Sequence, residues 1–143
     1  MIQAISISSH VRDFRTALEF LTRLPAGSGR HHEKNDLALA SWAFAPVGLL
    51  VGGIAGAAIW AASGAGLHPL AAALIGLGVQ VLITGALHED GLADMADGLG
   101  AGPDRSRALE IMRDSRIGTY GVLALLFSVG IRAALIAGVP GPG

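Results

Sequence analysis

A chain of 143 residues is long enough for one ordinary domain, and with no cysteine it excludes disulfides, thiolate metal sites and cysteine nucleophiles. Only 15% of the residues are charged, 52% are hydrophobic and the net charge is −1. Soluble domains carry roughly 25% charged residues, so the balance points to a membrane protein and offers no basic surface for a nucleic-acid partner.

Residues 1–36 are polar and mixed in charge, and no apolar run near Met1 reads as a cleavable signal. Val11, Phe14, Leu18 and Leu21 recur at helical spacing, with Arg12, Arg15, Glu19 and Arg23 on the other side. The pattern predicts an amphipathic helix lying on the membrane surface. The alternative is a helix whose apolar stripe packs on another part of the protein. Pro25 and the Gly/Ser/His stretch to His32 end it.

From Leu37 to His88 there is no Asp, Glu, Lys or Arg. Two membrane spans joined by a tight turn account for such a stretch, since a helix needs about 20 apolar residues to cross the hydrocarbon core. The spans are expected at 43–62 and 67–87, with Ser63 to Gly66 as the turn. Gly48, Gly52 and Gly56 repeat a small residue on one face of the first span, a pattern that lets another helix backbone come close. Arg12, Arg15, Arg23, Arg30 and Lys34 precede the hairpin; Arg105, Arg107, Arg113 and Arg116 follow it; the turn has no basic residue. Both charged segments are therefore expected on the cytoplasmic side.

Residues 88–119 form the expected cytoplasmic site loop, and they open HEDGLADMADGLG. Asp90, Asp94 and Asp97 stand at i, i+4 and i+7, which puts three carboxylates on one helix face. Three like charges repel, so such a stack is kept when something positive sits against it. Magnesium (Mg2+) takes oxygen ligands and binds through one or two carboxylates plus substrate phosphates, so the cluster reads as a metal site for a phosphorylated substrate. The plainer alternative is a solvated helix start, with Asp90 as cap and the others near the positive end of the helix. An EF-hand is excluded, because the third and twelfth positions counted from Asp90 are Leu92 and Ala101. Gly98, Gly100 and Gly102 are not a phosphate loop, since no Gly-Lys-Ser/Thr follows.

Glu89 points about 100° away from Asp90 around the helix and is the weaker ligand candidate. His88 sits where the second span ends and suits the interface. His10, His31, His32 and His68 show no ligand spacing. A second helix is expected from Asp104, an N-cap after Pro103, continuing RSRALEIMRDSR with Arg107, Glu110 and Asp114 on one side. Arg113 and Arg116 are typed for phosphate oxygens, because guanidinium offers a fork of donors; anchoring to anionic lipid is the alternative. A third span is expected at 120–139. Arg132 at its centre costs roughly 2.5–3.5 kcal/mol on insertion scales, so it should face protein or a water-filled cavity. The fold class is thus all-α, with polytopic membrane helices and amphipathic interfacial helices, in one membrane domain.

HEDGLADMADG followed by RALEIMRDSRIGTYG resembles the signature of the cobalamin synthase family, the adenosylcobinamide-GDP ribazoletransferases. Phe20 to Pro25 (FLTRLP) and Phe44 to Gly48 (FAPVG) are similar to two further segments of that family, so the resemblance runs from about Phe20 to Leu126. It implies a Mg2+-dependent enzyme of the bacterial inner membrane that works late in cobalamin biosynthesis. Such an enzyme transfers the cobinamide phosphate of adenosylcobinamide-GDP to α-ribazole or its 5′-phosphate and releases GMP. Carried over by position, Asp90, Asp94, Asp97 and Asp114 match the family's acidic motif, and Arg113 and Arg116 its basic positions. Asp90, Asp94 and Asp97 would hold Mg2+ on the donor pyrophosphate, and either Asp114 or Asp97 would take the proton of the acceptor hydroxyl. Members of the family are longer, with more spans, so this chain is expected to be roughly the N-terminal half. Two other readings compete: a small membrane channel or transporter subunit using the same acids with Arg132, and an inactive fragment of the enzyme. A homo-oligomer is compatible with the sequence.

Overall fold

The computed structural model describes residues 7–27 and 34–139. Arg30, His31 and His32 lie outside the described residues, as does the side chain of Lys34. The elements in chain order are α1 (Ile7–Leu21), α2 (Lys34–Ala40), a 3-10 turn (Ser41–Ala43), α3 (Phe44–Gly64), α4 (Pro69–Thr84), α5 (Leu87–Gly100), α6 (Arg105–Ile111) and α7 (Thr119–Ala137). No strand occurs among the described residues, and the fold is all-α.

The helical stripe of the N-terminal segment gives α1, and protein covers much of it. Phe14, Leu18 and Leu21 pack against a core of Ala17, Ala40, Ala43, Val47 and Val51. Val11 and Phe20 stay half exposed, so the same helix keeps apolar surface outside that contact. The helix stops where the Thr22 hydroxyl donates to the Leu18 carbonyl (2.7 Å) and accepts from the Leu24 N–H (3.1 Å), giving the backbone a partner other than the next helical turn.

α2, the 3-10 turn and α3 run on as a 29-residue helix, Asp36–Gly64. This rod and α7 are each long and apolar enough to cross a membrane. Leu49, Trp60, Leu126 and Leu135 are exposed on their outer faces, as side chains meeting lipid should be. The turn after α3 uses Gly66 at φ +79°, and α4 opens on Pro69 with the His68 Nδ1 accepting from the Leu70 N–H at 3.3 Å.

The second apolar run departs from the expected single span. α4 has 16 residues, about 24 Å at 1.5 Å each and short of a hydrocarbon core of about 30 Å. Gly85 and Ala86 then both take left-handed backbone (φ 66° and 62°), which no right-handed helix continues. The chain turns by 90° into α5, so α4 and α5 make either a broken span or a re-entrant loop. The corner is tied down from two sides. The Ala86 N–H reaches back to the Val81 carbonyl (3.0 Å), the tie of a left-handed helix end, and the Arg23 N–H caps the Ile83 carbonyl (2.7 Å).

The repeated glycines do not make the helix contact expected of them. A Cβ at Gly48, Gly52 or Gly56 would meet nothing within 4 Å. The close approach of α3 and α4 runs through Gly76 instead, where a Cβ would strike the Ile59 side chain and lie 3.1 Å from the Ala55 carbonyl. Ala73 and Leu77 of α4 also pack on Ala133 of α7, beside Val129 and Ile136.

Candidate functional site

The acidic helix α5 is fixed by two contacts with α7. The Asp97 carboxylate accepts from the Gly118 N–H (2.7 Å) through one oxygen and from the Gly121 N–H (2.8 Å) through the other. Gly118 is the N-cap of α7 and has no side chain to cap it, so Asp97 supplies the cap from another helix and meets the positive end of the α7 dipole. Two turns earlier, Glu89 pairs with Arg132, Nη2 to Oε1 at 3.0 Å. Asp97 meets the start of α7 and Glu89 its second half, so α5 runs opposite in sense to α7. Arg132 thus has a carboxylate partner on a neighbouring helix, which answers the protein-facing expectation for a charge in an apolar run.

The three aspartates are consequently divided. Asp90 and Asp94 line a cleft of about 300 Å³ with Arg113, Asp114 and Arg116. Asp97 lies on a second cleft of about 490 Å³, whose walls include Gly100, Arg107, Asp114, Arg116 and Tyr120. No group of three or more acidic or histidine side chains is gathered in metal-holding geometry among the described residues. This departs from the expected trio of metal ligands, and the reason is that both Asp97 oxygens serve the α7 N-terminus. Two carboxylates on one cleft still fit Mg2+, which completes its shell with phosphate oxygens and water.

The expected helix from Asp104 is real but short. Asp104 caps it, accepting from the Ser106 N–H at 2.9 Å, and it ends at Ile111. Arg113, Asp114 and Arg116 therefore stand on the loop before α7, and Asp114 does not share a helix face with Arg107 and Glu110. The Asp114 carboxylate accepts from the Arg116 backbone N–H at 3.1 Å, a local bond that competes with helix. The Arg116 guanidinium closes the same loop through Nη2 to Oδ2 at 2.6 Å, with Nε bonded to both carboxylate oxygens. This pairing holds the Asp114 carboxyl below the ordinary carboxylate value and raises Arg116. Asp114, Arg116 and Ile117 form the wall common to the two clefts.

Several placements were not readable from spacing. Glu89, by spacing the weaker ligand candidate, is the partner of Arg132. The signal that finds it is the rule that an ionisable group in an apolar run needs a counter-charge. Tyr120 carried no pattern of its own and comes to the larger cleft through the turn at Gly118. His88 lies on neither cleft of the aspartates. It borders a third, about 250 Å³, with Phe44, Gln80 and Thr84 among its walls.

Comparison with known proteins places these residues in a family. The family profile described as cobalamin-5-phosphate synthase matches residues 13–142. An adenosylcobinamide-GDP ribazoletransferase of Bradyrhizobium diazoefficiens is 52% identical over 138 residues, covering 96% of this chain and 53% of that protein. The proteins of the same name from Rhizobium etli (strain CIAT 652) and Brucella canis are 46% and 42% identical, with 94% and 90% of this chain and 52% and 50% of theirs covered. The chain spans about half the length of the curated relatives it matches. No solved structure matches it. By its sequence and by the order of its motif residues, this membrane-helical chain belongs to the cobalamin-5-phosphate synthase family.

Proposed function

We propose that the chain carries the donor-binding half of an adenosylcobinamide-GDP ribazoletransferase, set in the bacterial inner membrane with its clefts facing the cytoplasm. The observation that carries this is the cleft that Asp90 and Asp94 share with Arg113, Asp114 and Arg116. Paired carboxylates and guanidinium groups in one cleft are the donor set a pyrophosphate with a divalent ion requires. Asp90 and Asp94 would hold Mg2+ against the donor pyrophosphate, and its contribution there is to neutralise phosphate charge. Arg113, exposed and with no ion pair among the described residues, would bind phosphate oxygens directly.

In the transfer, the 5′-hydroxyl oxygen of α-ribazole bonds to the phosphorus on the cobinamide side of the pyrophosphate. The bond from that phosphorus to the bridging oxygen breaks, and GMP leaves. Of the two candidates for the hydroxyl proton, we assign Asp114, which borders both clefts, and keep Asp97 as the α7 cap. Arg116 makes Asp114 a weak base at rest. Movement of Arg116 onto a substrate phosphate would restore its basicity when the proton is released. The orientation rests on the basic residues flanking the α3–α4 hairpin.

Liposomes holding the chain, given adenosylcobinamide-GDP and α-ribazole, are expected to release GMP in a Mg2+-dependent manner, and Asp94→Asn is expected to abolish it. Cation flux without GMP release would instead favour a channel. Release by a longer family member but none by this chain would leave it an inactive portion of the enzyme.

A further inference from the structure

The larger cleft holds an aromatic group that the transfer chemistry above does not use. Tyr120, in the first turn of α7, has its ring seated on Gly100 at the end of α5, where any Cβ would run into the ring. The glycine backbone is thus a floor against which the tyrosine ring packs. Tyr120 is nonetheless 59% exposed as a residue, and it borders the cleft of about 490 Å³. A tyrosine that only anchors a helix at the membrane interface needs neither a backbone floor nor a cleft. A ring held against backbone yet largely exposed beside a cleft offers a stacking platform for a flat ligand. Ile111 and Ile117 add apolar wall, and Arg107 and Arg116 bring guanidinium groups to the same cleft. Arg107 has no ion-pair partner among the described residues, so its charge is available to a ligand.

We propose that this cleft binds a heteroaromatic base carrying a ribose phosphate, with Tyr120 stacked on the base and Arg107 meeting the phosphate. Such a ligand combines an apolar plane with a dianion, as the lining does, and a lipid headgroup offers no plane to stack. The proposal rests on the ribazoletransferase reading for its two sources: the guanosine end of the donor, and the α-ribazole acceptor.

The test is equilibrium binding of GMP and of α-ribazole 5′-phosphate to the detergent-solubilised chain, by titration calorimetry with Mg2+ present. Whichever ligand uses the cleft is expected to lose roughly tenfold or more in affinity on Tyr120→Ala, from the worth of one stacked base. Tyr120→Phe should bind nearly as wild type. Gly100→Ala is expected to weaken the same ligand by displacing the ring, and to add no further loss in a Tyr120→Ala background. Arg107→Gln should weaken the phosphorylated ligand and leave its dephosphorylated nucleoside unchanged. A thermal unfolding curve for each variant separates loss of binding from loss of fold. Wild-type chain that binds neither ligand, or a Tyr120→Ala affinity equal to wild type, overturns the proposal. If GMP release persists while these affinities are unmoved, only the stacking cleft falls. If the affinities respond but neither this chain nor a longer family member releases GMP, the cleft stands and the ribazoletransferase reading falls.

Discussion

Arg132 and Glu89 offer the sharpest measure of how the site helix is held. Their charged atoms are 3.0 Å apart, with side chains 34% and 13% exposed. Arg132 also donates from Nε to the Ser128 carbonyl at 3.3 Å. Removing one partner of a fully buried pair costs about 3–5 kcal/mol because it strands the other charge, whereas an exposed pair is worth about 0–1 kcal/mol. With Arg132 one-third open, Arg132→Leu is expected to cost about 2–3 kcal/mol, and Glu89→Leu a similar amount. The double variant removes both charges together and is expected to lie within about 1 kcal/mol of wild type, leaving a coupling of roughly 3 kcal/mol or more. The assay is reversible unfolding by SDS in mixed micelles, followed by helical circular dichroism. If the double variant loses the full sum of the two single losses, the pair does not couple and α5 is not held on α7 through it.

Asp97→Ala strips a charge-assisted cap from two N–H groups of α7 and should cost about 2–4 kcal/mol, while Asp97→Asn keeps one acceptor oxygen and should cost about half of that. Faster amide exchange at Gly118 and Gly121 would locate the loss; an Asp97→Asn variant of full stability but no GMP release would return Asp97 to the chemistry. Gly76→Ala pushes Ile59 away and is expected to destabilise by about 1–3 kcal/mol, whereas Gly52→Ala meets open space and should be neutral or up to about 1 kcal/mol stabilising. Chemical denaturation of the two variants side by side checks that contrast. Arg116 depresses the Asp114 pKa below 3.8, so the pairing is fully present above the ordinary carboxylate value and is lost only as pH falls through the lowered one. Carboxyl NMR of labelled aspartate should show Asp114 titrating below that value, and Arg116→Gln should move it upward.

The helical, membrane-embedded character of the chain was determined by the sequence alone. A charge-free stretch from Leu37 to His88 has few other physical solutions, because backbone polar groups in lipid must be satisfied within the helix. The order of acids and arginines in 88–121 was equally legible, since a motif is a local property. What tertiary structure decided was which of those groups meet. Periodicity put Asp90, Asp94 and Asp97 on one face, but it could not see that α7 begins beside Asp97 and needs two N–H groups capped. It read a helix through Asp114, where a two-residue-range bond to Arg116 favours a loop. It read one long span to Leu87, although the left-handed pair Gly85 and Ala86 breaks it, secured by Arg23 from 60 residues earlier in the chain. The glycine stripe of α3 looked like the packing face, yet the contact fell to Gly76, because helices meet where the partner's side chains leave room. Spacing reports which residues share a face; the partner of that face, and therefore the division of three aspartates between the Asp90–Asp94 cleft and a helix cap, belongs to contacts between segments far apart in sequence.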